Sequence, residues 1–316
     1  MREAVFIRQN ADKWKAIEQD ARPGDPNVLS ERFIELTDDL AYARTFYPNA
    51  PVTQYLNGVA ARLHQQIYRN RPEERGRFWR FWRSELPRLF RDSHRQLLYS
   101  FLIFAAAVLL GVVSALHDDT FVRLILGDGY VNQTLENIEK GDPLAIYKSA
   151  GQAEMFLAIT FNNIRVAFFA FVLGVTFSTG TVWLLFQNGV MLGAFQTFFY
   201  QKGFLLTSLL TVWIHGTLEI SAIVIAGCAG LVMGNSLLFP GTYPRLHSFR
   251  QGAKQGLKIA VGLVPIFIAA GFLESFVTRL PLPWYLSGSI IAASAAFIGW
   301  YFVWYPIQLQ TKNAKP

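Results

Sequence analysis

Hydrophobic and polar residues follow two different patterns along the 316-residue chain. Up to residue 96, apolar positions recur every three or four residues, which is the period of an amphipathic helix. This pattern predicts helices over 4–20, 28–46 and 52–70, and prolines mark the turns between them. After residue 96 the pattern changes to long apolar runs. The first part therefore predicts a small helical domain, residues 1–76, that lies in the cytoplasm.

The long apolar runs predict transmembrane helices, because about twenty residues of helix cross the hydrocarbon core of a bilayer. The run 97–116 contains no charged residue. Later runs predict five further crossings, at 165–186, 188–201, 204–234, 257–277 and 286–305. We expect residues 153–163 to form an interfacial or re-entrant piece. Because 188–201 is short for a crossing, a re-entrant pair over 188–214, with five crossings in total, is an alternative.

These patterns predict an all-α fold, a polytopic helical membrane protein with an N-terminal cytoplasmic helical domain. The transmembrane domain, residues 97–306, contains about six helices, with or without re-entrant half-helices. A cytoplasmic tail, residues 307–316, follows the last crossing.

Charged residues orient this domain, because basic loops lie on the cytoplasmic side of a membrane. Ten arginines fall within 62–95, whereas the connection 117–150 has six acidic residues against three basic ones. The loop 235–258 has four basic residues and no acidic one, and the tail has two lysines. Six crossings satisfy all these observations with both termini in the cytoplasm.

The segment 77–96 joins the two patterns and predicts an amphipathic interfacial helix. On a helical wheel its aromatic and aliphatic residues fill one half and its arginines the other, and only Glu85 falls on the apolar side. Aromatic rings at headgroup depth beside arginines are typical of a bilayer interface. A soluble amphipathic helix is an alternative; nucleic-acid binding is disfavoured because an apolar run follows within a few residues. The expected membrane-interface residues are Arg77, Phe78, Trp79, Arg80, Phe81, Trp82 and Arg83.

Several polar residues lie inside apolar runs, where a charged side chain costs roughly 2.5–3.5 kcal/mol. His215 and Glu219 are four residues apart and therefore share one face of a helix. Glu219 could fix the tautomer of His215, or either residue could pair with Arg165. The candidate intramembrane polar site comprises Asn162, Asn163, Arg165, Asn188, His215 and Glu219.

This polar site is compatible with an ion or proton path and with a hydrogen-bonded contact between helices. A metal site is disfavoured, because no second histidine lies in a predicted crossing. The sequence also has no recognisable nucleophile–base arrangement or phosphate-binding loop. We therefore expect no catalytic residue, no metal and no cofactor.

Small residues repeat every four positions in the fourth predicted crossing, at Ala226, Gly230 and Gly234. Such spacing lets two helices approach closely. Packing within the chain and the seam of a homodimer both fit this stripe.

The chain resembles the stage II sporulation protein M family. The resemblance lies in DLAYAR at 39–44, YLNGVA at 55–60, QNGVMLG at 187–193, WIHGTLEIS at 213–221 and FPGTY at 239–243. It implies a polytopic protein of the bacterial inner membrane. In spore formers the family's namesake works with cell-wall hydrolases during engulfment, without known catalysis of its own, and its sporulation members lack a domain like 1–96.

From the residues and the resemblance we expect a non-enzymatic protein with an assembly or partner-binding role in cell-envelope processes. Its expected partners are the lipid bilayer, a second copy in a homodimer, and other membrane or cytoplasmic proteins, but not nucleic acid. The alternative is a channel or transporter for an ion or small solute. In that case the path is expected to pass Arg165, His215 and Glu219.

Overall fold

A computed structural model of the protein describes residues 2–19, 26–68, 76–145 and 151–313. In these residues every regular element is a helix and no strand occurs, which confirms the predicted all-α fold. The chain divides into two compact units, Met1–Arg77 and Phe78–Pro316.

The described part of the first unit forms three helices: α1 (Glu3–Gln19), α2 (Pro26–Phe46) and α3 (Pro51–Tyr68). Each helix turns one apolar side inward, and Phe6, Trp14, Leu36 and Leu56 are buried in the shared core. The Trp14 indole N–H donates to Asp39 Oδ2 at 2.8 Å, which ties α1 to α2. This unit therefore has a core of its own.

Among the described residues, the second unit has six helices that are long and apolar enough to cross a membrane, which confirms the predicted architecture. We name them span 1 (His94–His117), span 2 (Gln152–Val175), span 3 (Thr179–Gln201), span 4 (Leu205–Leu238), span 5 (Arg245–Val277) and span 6 (Trp284–Leu309). Span 4 lies at the centre of this unit and has the largest buried share of the six.

The bounds of spans 2 and 3 differ from the prediction. Residues 153–163 are not a separate interfacial piece, and the crossing predicted at 165–186 is wrong, because the chain reverses after Val175. Phe177 and Ser178 have φ angles of 54° and 69°, in the left-handed region that ends a helix. The Thr176 hydroxyl accepts a hydrogen bond from the Gly180 backbone N–H at 2.9 Å, which closes the turn. Span 3 therefore begins at Thr179 and includes the run predicted as 188–201.

The connection between spans 1 and 2 contains two helices outside the spans, Asp119–Leu126 and Asp128–Glu139, which we call the loop helices. Asp118 caps the first of them. The Thr120 hydroxyl and backbone N–H donate to Asp118 Oδ1 at 2.7 and 2.8 Å, and these bonds hold the pKa of Asp118 below its usual value. Val122 and Val131 pack the loop helices onto the ends of spans 1 and 3.

The arginine-aromatic segment forms a short helix with a π-helical turn at Phe81–Glu85 and ends at Asp92, four residues before the predicted bound. Phe78 and Trp79 are 67% and 73% exposed. Two tyrosine hydroxyls of span 6 donate to its carbonyls, Tyr301 to Trp82 at 2.5 Å and Tyr305 to Arg83 at 2.8 Å.

Glu85, the one acidic residue on the apolar side of this segment, has a partner in span 5. The Lys258 ammonium donates to Glu85 Oε2 at 2.9 Å, and both side chains are partly buried. This ion pair explains why an acidic residue is tolerated on the side that packs against the spans. The placement of the segment in a membrane interface stays a prediction.

The small-residue stripe of span 4 packs within the chain. Ala226, Gly230 and Gly234 are all buried. A Cβ atom on Gly230 would meet the Ala170 carbonyl of span 2, and one on Gly234 would meet Ser178 of the 176–178 turn. The stripe therefore lets the backbones of spans 2 and 4 touch and is not available as the seam of a homodimer.

Candidate functional site

Three ionisable side chains meet between spans 4 and 5. His215 and Glu219 lie one turn apart on span 4, and Glu274 comes from a π-helical turn, Leu273–Val277, at the end of span 5. One donor atom from each residue lies within 4.8 Å of the other two. His215 Nε2 is 3.9 Å from Glu274 Oε1, and these residues are 4% and 9% exposed. We call this group the HEE cluster.

Thr278 orients the imidazole of His215. The Thr278 hydroxyl donates to the Leu273 carbonyl at 3.1 Å, so its oxygen is the acceptor for His215 Nδ1–H, also at 3.1 Å. A proton on Nδ1 leaves the lone pair of the neutral ring on Nε2, which is the nitrogen on the side of Glu274. The network thus assigns one tautomer to a buried histidine.

A cavity of about 580 Å³ lies beside the HEE cluster. Its walls come from spans 2, 3, 4 and 5 and from the loop helices, and most of the wall is apolar. The polar lining residues are Tyr130, Asn162, Asn163, Trp213, His215, Glu219 and Glu274. A volume of this size is typical of pockets that take small ligands. Burial raises the pKa of the Tyr130 phenol to about 12, so this loop-helix side chain lines the cavity in its neutral form at physiological pH.

Two hydrogen-bond donors belong to residues that line the cavity. They are Asn163 Nδ2 on span 2 and Trp213 Nε1 on span 4, and both atoms are buried. Buried donors are almost always paired with protein or with ordered water, because an unpaired one costs roughly 1–3 kcal/mol. The Asn163 side chain interacts with Glu219, whereas Trp213 Nε1 has no partner among the described residues.

The structure brings together four of the six residues predicted for the intramembrane site: Asn162, Asn163, His215 and Glu219 line the cavity. The other two, Arg165 and Asn188, do not. Arg165 is exposed on span 2 and donates to Asn162 Oδ1 at 3.1 Å. The Asn188 amide donates to the Leu184 carbonyl of its own helix at 2.9 Å. Arg165 therefore pairs with Asn162, and not with His215 or Glu219 as the sequence suggested.

Sequence reasoning missed Glu274, Thr278 and Trp213. A usable signal existed for Glu274, which is the one acidic residue within 257–277. Trp213 and Thr278 carried no comparable signal, because tryptophan and threonine are ordinary near the ends of membrane helices.

A second cavity of about 210 Å³ lies at the opposite end of span 4. Polar side chains from spans 1, 4 and 5 line it, among them Gln96, Asn235, Ser248 and Gln251. The stretch of span 4 between the two cavities, from Ile220 to Val232, corresponds to roughly 18 Å of helix. Its residues Ala222 to Leu231 are all buried, so this stretch separates the cavities by close packing.

The six spans and the polar cavity between them define a multi-pass α-helical membrane protein. The family model of stage II sporulation protein M (SpoIIM) matches residues 100–279, more than half of the chain. The chain belongs to the SpoIIM family. A second family model, a domain of unknown function (DUF8413), matches residues 4–69. No curated protein and no solved structure matches the chain.

These matches confirm the resemblance and limit it to one part of the chain. The segments 187–193, 213–221 and 239–243 lie inside the SpoIIM match. The segments 39–44 and 55–60 lie outside it, in the DUF8413 match. The HEE cluster, Asn163 and Thr278 all fall within the SpoIIM match.

Proposed function

We propose that this SpoIIM-family protein binds a small cation in the cavity beside the HEE cluster and moves it across the bilayer. One observation carries the proposal: a cavity of about 580 Å³ has three mostly buried ionisable side chains in its wall, between helices that are long and apolar enough to cross a membrane. Ionisable groups at such depth are costly, and they commonly mark solute or ion pathways. The protein acts without catalysis.

The closed stretch of span 4 favours a gated carrier over an open pore. Cavities lie at both ends of the stretch, and the packing between them is backbone against backbone, as at Gly230 and Ala170. A solute can pass only if span 2 or span 3 moves away from span 4. Packed helix pairs of this kind shift between discrete arrangements rather than deform continuously.

We propose the bacterial inner membrane as the location, with both termini in the cytoplasm. The basic segments 62–95 and 235–258 support this orientation. The loop helices that wall the large cavity then lie on the opposite side. A solute would reach the HEE cluster from outside the cytoplasm, through the neighbourhood of Tyr130.

Vesicle flux tests this proposal. The full chain is reconstituted into liposomes that contain dyes for protons, K⁺ and divalent cations, and each ion is offered from outside. We expect a flux that Glu219→Gln and His215→Ala lower at least tenfold, because both residues line the cavity. Arg165→Gln is the control, since Arg165 is charged and lies in a span but not in the cavity wall. Flux that is equal in all variants, or absent for every ion, would contradict the proposal.

A second candidate function is partner binding by the first unit, including self-association. The α2 helix packs Leu36 and Leu40 in the core but leaves Ile34 and Phe46 60% and 59% exposed. An interface with another protein would cover these two apolar side chains. The mass of the purified complex in detergent, compared between wild type and the double variant Ile34→Ser with Phe46→Ser, tests whether these residues join two copies.

A further inference from the structure

We propose that His215, Glu219 and Glu274 together bind one divalent first-row transition-metal ion, with Zn²⁺ as the reference ion. This inference rests on the proposed function, since it names the class of solute that the cavity takes. The donor set itself motivates it: one imidazole nitrogen and two carboxylates are ligands that Zn²⁺ and its neighbours accept.

The three donor atoms lie close enough to bind one ion if each moves slightly toward the others. Zinc bonds to histidine nitrogen and to carboxylate oxygen are about 2.0–2.2 Å long, which places two tetrahedral ligand atoms about 3.4 Å apart. His215 Nε2 and Glu274 Oε1 are 3.9 Å apart, and all three donors lie within 4.8 Å of one another. Side-chain rotations that move each donor by less than about 1 Å would complete the site.

The histidine already presents the required atom. A metal-binding histidine uses one ring nitrogen and donates the other N–H to an outer partner, which fixes the ring. Thr278 is that partner here, because its oxygen accepts from His215 Nδ1–H at 3.1 Å. Nε2, the nitrogen on the side of Glu274, is then the ligand atom.

The charges also balance. Two ionised carboxylates and a neutral imidazole carry a total charge of −2, and a divalent ion makes the group neutral. Neutrality matters because an unbalanced buried charge is strongly destabilising. Arg165, the basic residue expected to pair with this group, lies on the exposed side of span 2.

An independent observation points to a ligand on the cavity side of the cluster. Asn163 is 5% exposed, lines the cavity and interacts through its side chain with Glu219 of the cluster. The Trp213 indole N–H is buried and unpartnered in the same wall. Both are donors, which suits a water or hydroxide bound to the metal as its fourth ligand.

Metal binding by the purified full chain tests the inference. The protein is kept in detergent, its affinity tag is removed, and bound ions are stripped with a chelator. Titration calorimetry with Zn²⁺ is expected to give one site per chain, and Co²⁺ is expected to give the visible spectrum of a four-coordinate nitrogen–oxygen site. Glu219→Gln, Glu274→Gln and His215→Asn should each lower Zn²⁺ affinity at least tenfold.

Two further variants separate a metal site from general damage. Glu154→Gln is the matched control, because Glu154 is exposed in the first turn of span 2, and its affinity should equal that of wild type. Thr278→Val keeps all three ligands but removes the acceptor for His215 Nδ1–H, so it should weaken binding about 10–100-fold. Thermal melts and size-exclusion profiles identify any variant that fails to fold.

The outcomes distinguish this inference from the proposed function. If wild type binds no Zn²⁺ or Co²⁺, or if both glutamine variants bind as wild type does, the metal site is wrong, whereas a flux of other ions would leave transport standing. If Zn²⁺ binds as expected but no ion crosses the vesicle membrane, the metal site stands and transport is wrong.

Discussion

Single residues of span 4 set how closely the helices of the second unit approach. Gly230 lies against the Ala170 carbonyl of span 2 and the Thr181 side chain of span 3. The Thr181 hydroxyl donates to that same carbonyl at 2.7 Å, so three helices meet at one point. A Cβ atom added at Gly230 would meet the Ala170 backbone carbonyl as well as the Thr181 side chain. A backbone atom cannot move aside by a rotamer change, so the neighbours cannot make room for the methyl group.

Gly230→Ala should therefore destabilise the protein by about 1–3 kcal/mol, the usual cost of forcing a methyl group into a packed site. Gly288→Ala in span 6 is the matched control, because a Cβ there would meet no atom within 4 Å. Thermal or denaturant unfolding in detergent measures the stability of both variants. Equal stability of the two variants would show that spans 2 and 4 are farther apart than described.

At the scale of single residues, part of the candidate site could be predicted from the sequence. Asn162, Asn163, His215 and Glu219 were visible as polar residues in apolar runs, and helical spacing linked the last two. Glu274 joins them only because span 5 packs against span 4, and spacing along one helix cannot show that. Arg165 was expected in the interior between the helices, because a charged side chain is costly to place in lipid. Its long side chain instead lies at the outer surface and donates a hydrogen bond to Asn162.

At the scale of elements, the number of helices was easier to predict than their ends. The apolar run that begins at Val166 continues past Val175 to Phe186 with only hydroxyl and glycine interruptions, which membrane helices tolerate. The reversal at 176–178 depends instead on backbone angles and on contacts with span 4, such as that between Ser178 and Gly234. A hydropathy profile shows neither the backbone angles of the turn nor its contacts with span 4.

Cysteine labelling with a membrane-impermeant maleimide should show six crossings. The native Cys228 is fully buried and should stay unlabelled. Exposed positions on each side then report the topology: Thr179→Cys and Thr242→Cys should label from one side, and Lys140→Cys and Lys202→Cys from the other. The first pair should face the cytoplasm, because residues 235–258 are basic. A re-entrant pair over 188–214 would instead place residue 202 inside the bilayer and block its labelling.

At the scale of the whole molecule, two family matches coincide with two compact units. The DUF8413 match at 4–69 lies within Met1–Arg77, and the SpoIIM match at 100–279 lies within Phe78–Pro316. All residues of the cavity belong to the second unit. The chain thus joins a membrane unit that contains the candidate site to a helical unit whose described residues do not line that site.

This separation predicts that residues 1–77 fold alone. The unit buries Phe6, Trp14, Leu36 and Leu56 in one core, and helical domains of this size can be stable without a partner, although only marginally. Expressed by itself in buffer without detergent, it should give a helical circular dichroism spectrum and a cooperative thermal transition. Leu36→Ala should lower its stability by about 2–5 kcal/mol, since Leu36 is fully buried, whereas Ile34→Ala should change it little, since Ile34 is 60% exposed. A fragment without a cooperative transition would mean that the core of the first unit needs the membrane unit to form.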